Sequence, residues 1–213
     1  MDSNIKCVSE LRVKRTMENL EKNNMEAFYV EDETKVLDKV KELINDGDTV
    51  SVGGSATLSE TGVIDYLRCG KYNFLDRYAE GLSPLDLKEV FRKSFFANAY
   101  FTSSNALTEN GELYNVDGNG NRVAAMIYGP DKVIVIVGVN KIVADSDAAI
   151  ERNRNFSAPA NAMRLNRDTP CTKVGYCMDC NSKDRICNNY VLIGRQGVKG
   201  RIKVIIVGKD LGY

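Results

Sequence analysis

The sequence has no histidine in 213 residues. That absence excludes Ser-His-Asp and Cys-His nucleophilic catalysis, histidine-ligated zinc hydrolysis and imidazole proton shuttles, because each needs a ring nitrogen that titrates near neutrality. Proton transfer or covalent chemistry falls to Glu, Asp, Lys, Tyr or Cys. Net charge is missing as well, since Lys plus Arg and Asp plus Glu number 29 each. No summed field draws the molecule to nucleic acid or to an anionic membrane, so neither is an expected partner and an anionic ligand needs a local site. Long apolar runs are also absent: the longest, VIVIVGV, falls far short of the ~20 residues that span a bilayer. The opening MDSNIKCVSELRVKRTMENLEK is charged throughout and lacks the apolar stretch of a secretory signal. The expected compartment is the cytoplasm, which keeps thiols reduced and makes disulfides the poorer account of the cysteines.

What is present alternates between strand and helix patterns. MEAFYV, TVSVGG, AYFTSS, KVIVIVG, NYVLIGR and RIKVIIVG read as strands, the β-branched KVIVIVG being of the kind buried on both faces of a parallel sheet. Val13, Met17 and Leu20 form one stripe of a first helix, so that residues 1–25 read as a helical arm. DETKVLDKVKELIN reads as a helix capped by Asp32, and TLSETGVIDYLRCG as another. SPLDLKEVFRKSFFA has Ser83 as cap, Pro84 at the first helical position, and Leu87, Val90, Phe91 and Phe95 expected inward. DSDAAIERNRNFSAPANAMRLN is helical with an interruption expected at Pro159. Asn110-Gly111 in ALTENGELYNV predicts a two-residue hairpin loop. The pattern predicts one α/β domain over 1–213, a Rossmann-like, mostly parallel sheet flanked by helices.

Three strand exits have the form of ligand loops. TVSVGGSATLSETG carries Gly53, Gly54 and Ser55 ahead of a helix, either as a ligand cradle or as a plain turn; Thr57 and Glu60 have capping-box spacing. NVDGNGNRVAA places Asp117, Gly118, Gly120 and Asn121 before a helix with Arg122 in its first turn. A cation there is unfavourable unless an anion or an internal pair with Asp117 neutralises it, which makes Arg122 the expected anion contact. VIVIVGVNKIV ends in Asn140 and Lys141, with Lys141 in reach of a phosphate or carboxylate.

The cysteine-rich segment 171–187 holds Cys171, Cys177, Cys180 and Cys187, with a C-x2-C pair at its centre. Four thiols at this spacing can close an all-sulfur shell around zinc or carry an iron-sulfur cluster, and both metals accept four sulfurs. Disulfides and buried packing are the alternatives, and the polar surroundings of Asn181, Ser182 and Asp184 fit packing poorly.

VSVGGSATLSETG, FTSSNALTENGELYNVDGNGNRVAAMIYGP, VIVIVGVNKIV and the cysteine stretch together resemble the LUD domain family, named for lactate utilisation, from about Asp46 to Tyr213. The resemblance implies the fold shared by ribose-5-phosphate isomerase, glucosamine-phosphate deaminase and the CoA transferases. It also implies a role in oxidising lactate to pyruvate beside iron-sulfur oxidoreductase subunits, with a homo-oligomer as a further expectation. The chain lacks the C-x2-C-x2-C-x3-C-P run of ferredoxin-like relatives. TENG at 108–111 resembles the S-E-N-G signature of CoA transferases, which carries the role of catalytic nucleophile over to Glu109; otherwise Glu109 flanks a hairpin chosen for Asn-Gly.

Overall fold

The β-branched run at 132–138 lies in the middle of a six-stranded sheet in the computed structural model, which describes residues 2–213. In chain order the strands are β1 (Glu26–Val30), β2 (Thr49–Val52), β3 (Asn73–Leu75), β4 (Ala99–Thr102), β5 (Ala106–Thr108), β6 (Leu113–Asp117), β7 (Lys132–Gly138), β8 (Ile142–Val143), β9 (Asn189–Ile193) and β10 (Ile202–Val207). The helices are α1 (Ser3–Lys22), α2 (Val36–Leu43), α3 (Ala56–Glu60), α4 (Val63–Leu67), α5 (Pro84–Lys93), α6 (Asn121–Ile127), α7 (Ser146–Arg152), α8 (Ala158–Arg164) and α9 (Cys171–Val174). The large sheet has the order β1-β10-β7-β4-β2-β3 with every pair parallel. A smaller sheet has the order β8-β5-β6-β9 and is antiparallel except for β5 with β8. This is an α/β fold, with a mostly parallel sheet flanked by helices.

Alternation along the central strands sets the layers. Ile134 and Ile136 of β7 pack with Val36 and Val40 of α2, Leu58 of α3 and Leu67 of α4. Val133, Val135 and Val137 face the other way, onto Val13 and Leu20 of α1, Met126 of α6, and Leu107 and Leu113 of the small sheet. Both faces are dry, so β7 from Val133 and β10 from Val204 read as unbroken apolar runs. Because all six strands are parallel, their carboxyl ends share one edge, from which the loops after β2, β4 and β7 leave; the Asp117–Asn121 loop instead follows β6 of the small sheet. Among the described residues no helix is long and apolar enough to cross a membrane.

Several local expectations are corrected. The hairpin loop has three residues, since Thr108 N–H donates to Glu112 O (2.9 Å) and Gly111 N–H to Thr108 O (2.9 Å), with Gly111 at φ 78°. That is a tight turn closed by a left-handed residue, in place of a two-residue loop. TLSETGVIDYLRCG forms two short helices separated by Gly62, itself left-handed at φ 68°. Leu87, Val90, Phe91 and Phe95 are only half-buried, although Ser83 and Asp86 form the expected reciprocal cap. The helix does not break at Pro159: a π-helical turn over Asn153–Ser157 precedes α8, which opens with Ala158 and Pro159. The N-terminal segment forms one helix, α1, whose Val13, Thr16 and Leu20 are buried.

Candidate functional site: a cationic cleft at the strand ends

Four strand exits and the cysteine-rich segment surround a cleft of about 480 Å³. Gly54 and Ser55 follow β2, Ser103 to Asn105 follow β4, Asp117 to Asn121 link β6 to α6, and Lys141 follows β7. Seven cationic side chains line it (Arg77, Arg122, Lys141, Arg164, Arg167, Lys183 and Arg185) against two carboxylates, Asp117 and Asp184. Of the sequence candidates, Gly54, Ser55, Asp117, Gly118, Asn121, Arg122 and Lys141 line the cleft. Gly53, Gly120 and Asn140 do not line it, and Asn140 faces a second cavity beside Glu60 and Arg152.

Lys141 is 2 % exposed, and its Nζ donates to Thr57 Oγ1 and Ser103 Oγ at 3.0 Å each, with no carboxylate in contact. Burial lowers its pKa to about 7, and the charges of Arg152 and Arg122 act in the same direction. Such an amine holds an anion when protonated and takes up a proton when neutral. Thr57 is therefore occupied with Lys141, and Ser55 caps α3 through Leu58 N–H (3.3 Å), which corrects the Thr57–Glu60 capping box. Glu60 instead accepts from Gly212 N–H at 2.7 Å and, with Asn140, pins the final residues against the cleft. Those residues include Tyr213, which lines the cleft; burial of its hydroxyl raises its pKa, against the opposing effect of Arg164 nearby.

Arg122 is 8 % exposed and spends all five N–H donors on the protein. Nε meets Asp117 Oδ1 (3.1 Å), Nη1 meets Asn115 Oδ1 (2.7 Å) and Ser103 O (3.0 Å), and Nη2 meets Val116 O (3.0 Å) and Asn105 Oδ1 (3.2 Å). It braces the β4–β5 loop against β6 and leaves no donor for a ligand, in contrast to its expected part as anion contact. Gly53 serves the same brace: a Cβ there would lie 3.0 Å from the Arg122 stem. The available cations are ones that sequence reading missed. Arg77 stacks on Phe91 (4.8 Å) beside Gly54, and Arg164 and Arg167 come from the end of α8 and the turn after it. None has a local sequence signal, because each reaches the cleft only through tertiary packing.

Glu109 lies outside the cleft. Its carboxylate accepts from Arg12 Nε (2.7 Å) and from Arg15, and Asn19 Nδ2 donates to its carbonyl (2.8 Å). Partial burial alone would raise its pKa, but hydrogen bonds from Arg15 and Arg12 outweigh this and hold it below the ordinary value. Glu109 is thus the clamp between hairpin and α1.

The four cysteines of the 171–187 segment are free thiols, all half-buried, and they line one small cavity behind the cleft wall. Burial, together with the neighbouring sulfurs, pushes the Cys187 thiol up to about 11. Among the described residues no three His, Cys, Asp or Glu side chains stand in a ready-made metal-binding group.

The LUD domain profile matches residues 13–207. No curated protein matches the chain. Among solved structures, a DUF162 family protein from Deinococcus radiodurans is similar at TM-score 0.52 and 16% identity, covering 95% of this chain and 98% of that one. At that identity the likeness shows the fold alone. The tetrameric eIF2B-beta2-delta2 complex from C. thermophilum (TM-score 0.44, 20% identity, 82% and 55% covered) is more distant. So is ribose 5-phosphate isomerase A from Methanocaldococcus jannaschii (0.35, 16% identity, 54% and 55% covered), and neither carries an argument about this chain. With a match that spans most of its length, this chain belongs to the LUD domain family.

Proposed function

We propose that this chain is a lactate-utilisation-type protein that holds a small organic anion, a 2-hydroxy or 2-oxo carboxylate, in the cationic cleft. It works beside iron-sulfur oxidoreductase subunits that accept the electrons. Family membership supports the lactate-utilisation class. The single observation that carries the ligand class is the excess of cations around one cleft, with buried Lys141 at its floor. Without an anion, Lys141 is desolvated and faces only hydroxyls; a ligand carboxylate supplies the missing charge.

Thermal shift and calorimetry with lactate, pyruvate, phosphate and sulfate test this reading. A ligand at a hundred times its Kd stabilises the fold by about 2.7 kcal/mol, and the R164A/R167A double variant should lose most of that gain. Failure of every anion to move the melting temperature at millimolar concentration overturns the reading. Lactate-dependent dye reduction that appears only with an added partner fraction supports the division of labour. An acyl-CoA mechanism at Glu109 asks for a free carboxylate at the cleft, whereas this one is held by two arginines elsewhere. A borohydride-sensitive adduct at Glu109 would restore it.

A further inference from the structure

The segment Gly175–Asn188 contains no helix or strand, yet it forms one wall of the cleft through Lys183, Asp184, Arg185 and Ile186. A stretch of that length inside a domain needs a tie. Its ends and middle share one feature: Cys171, Cys177, Cys180 and Cys187 line a single cavity of about 20 Å³, closed by Ala158 and Ala162 of α8. Hydrogen-bond donors reach two of the sulfurs and the backbone beside the others. Asp179 N–H donates to Cys177 Sγ (3.4 Å), and the Thr169 hydroxyl meets Cys171 Sγ (3.2 Å). Arg185 donates to the carbonyls of Cys180 and Cys187, the latter at 2.9 Å, which places a guanidinium beside the thiols. Apolar packing needs none of these contacts, and the thiols are unpaired.

We propose that Cys171, Cys177, Cys180 and Cys187 form a tetrathiolate centre for a thiophilic metal, zinc or an iron-sulfur cluster, whose occupation fixes the 183–186 wall of the anion cleft. Each cysteine gives its thiol proton to solvent as its sulfur binds the metal; four S–H bonds break, four sulfur–metal bonds form, and the protein is neither oxidised nor reduced. The thiols are not preformed at bonding geometry. Closure therefore draws in a segment that no ladder holds, and Arg185, between the second and last cysteine, is carried with it. The metal clause stands on the cysteines alone, whereas the coupling clause rests on the proposed reading of the cleft.

The full chain, purified without oxygen, is assayed for zinc, iron and acid-labile sulfide. About one zinc per chain, with tetrahedral thiolate-to-metal bands after cobalt exchange, supports a mononuclear centre. Iron and sulfide in equal amounts with a brown chromophore support a cluster. The C177S/C180S variant should lose the metal and C7S/C69S should keep it, with circular dichroism of both reporting the fold. Six readily titrated thiols in the native protein, the exposed Cys7 and Cys69 among them, with no uptake from zinc or from iron plus sulfide, overturn the centre. Inorganic phosphate is then titrated into metal-loaded and chelated protein. Binding about tenfold weaker after chelation supports the coupling, and equal affinity in both forms overturns it while leaving the centre in place. If phosphate, sulfate, lactate and pyruvate all bind neither form, with metal present, the cleft reading and the coupling fall together.

Discussion

At Lys141 two effects compete for one proton. Burial among hydroxyls lowers the folded pKa to about 7, while the unfolded chain keeps the proton up to the ordinary 10.5. Between those values the unfolded state binds more protons, so stability should rise with pH across the window on this residue's account. Urea titrations at pH 7 and pH 9 should show that slope, flattened in Lys141→Met, whose midpoint at pH 7 should exceed the parent's. A bound anion favours the ammonium, so sulfate affinity should fall above pH 7, by up to about tenfold per pH unit, with proton uptake visible by calorimetry in two buffers. A pH-independent affinity, or identical profiles for parent and Met variant, would remove Lys141 from the site. Arg122 behaves oppositely, since its value lies in saturation. Arg122→Ala strands Asn115 Oδ1, Val116 O and Asp117 in a buried setting and should cost about 3–5 kcal/mol, read as a lowered denaturation midpoint. The sequence made both residues visible as cations after strand exits. The number of acceptors around each depends on separate strands and loops meeting, and no local pattern encodes that.

Elements show the same division between local and tertiary signals. The runs that became β7 and β10 are legible because strand segments dry on both faces, residues 133–137 and 204–207, must be continuously apolar. β3 and β8, of three and two residues, exist only through pairing with β2 and β5 and have no pattern of their own. The hairpin between β5 and β6 was visible as Asn-Gly, but its purpose was not: it is the seat of α1. A Cβ at Gly111 would sit 2.6 Å from the backbone of Asn19 and Leu20, and φ 78° already disfavours a side chain. Gly111→Ala should therefore destabilise the fold by more than about 1 kcal/mol, loosening α1 before the sheet, as limited proteolysis of residues 3–22 would report. Glu109→Gln should cost roughly 1 kcal/mol and leave sulfate affinity unchanged. Glu109's folded pKa is depressed, so its contribution is present above the ordinary glutamate range and is lost as pH falls through the folded value. A loss of sulfate binding in that variant would contradict the docking role.

For the molecule as a whole, charge is balanced in total and unbalanced in place. The 29 cations and 29 anions cancel at a distance, yet the cleft gathers seven cations against two carboxylates where parallel strands end together. Beyond a Debye length of about 10 Å at 0.1 M salt, an approaching polyanion meets a neutral body. Within the cleft, a small anion meets several cations on partly desolvated walls. These two regimes predict different salt responses. Sulfate binding should weaken only modestly as sodium chloride rises, because the ion is counted by a few fixed, partly buried charges. Double-stranded DNA should show no affinity at 0.1 M salt, since a rod cannot enter the cleft and the summed charge of the chain is zero. Fluorescence anisotropy of a labelled duplex, run beside sulfate calorimetry over the same salt series, separates the cases. A duplex affinity that falls as a steep power of salt would mean that Arg164, Arg167 and Lys183 act as an open phosphate track. The cleft would then be only a by-product of that track, and the small-anion reading would fall with it.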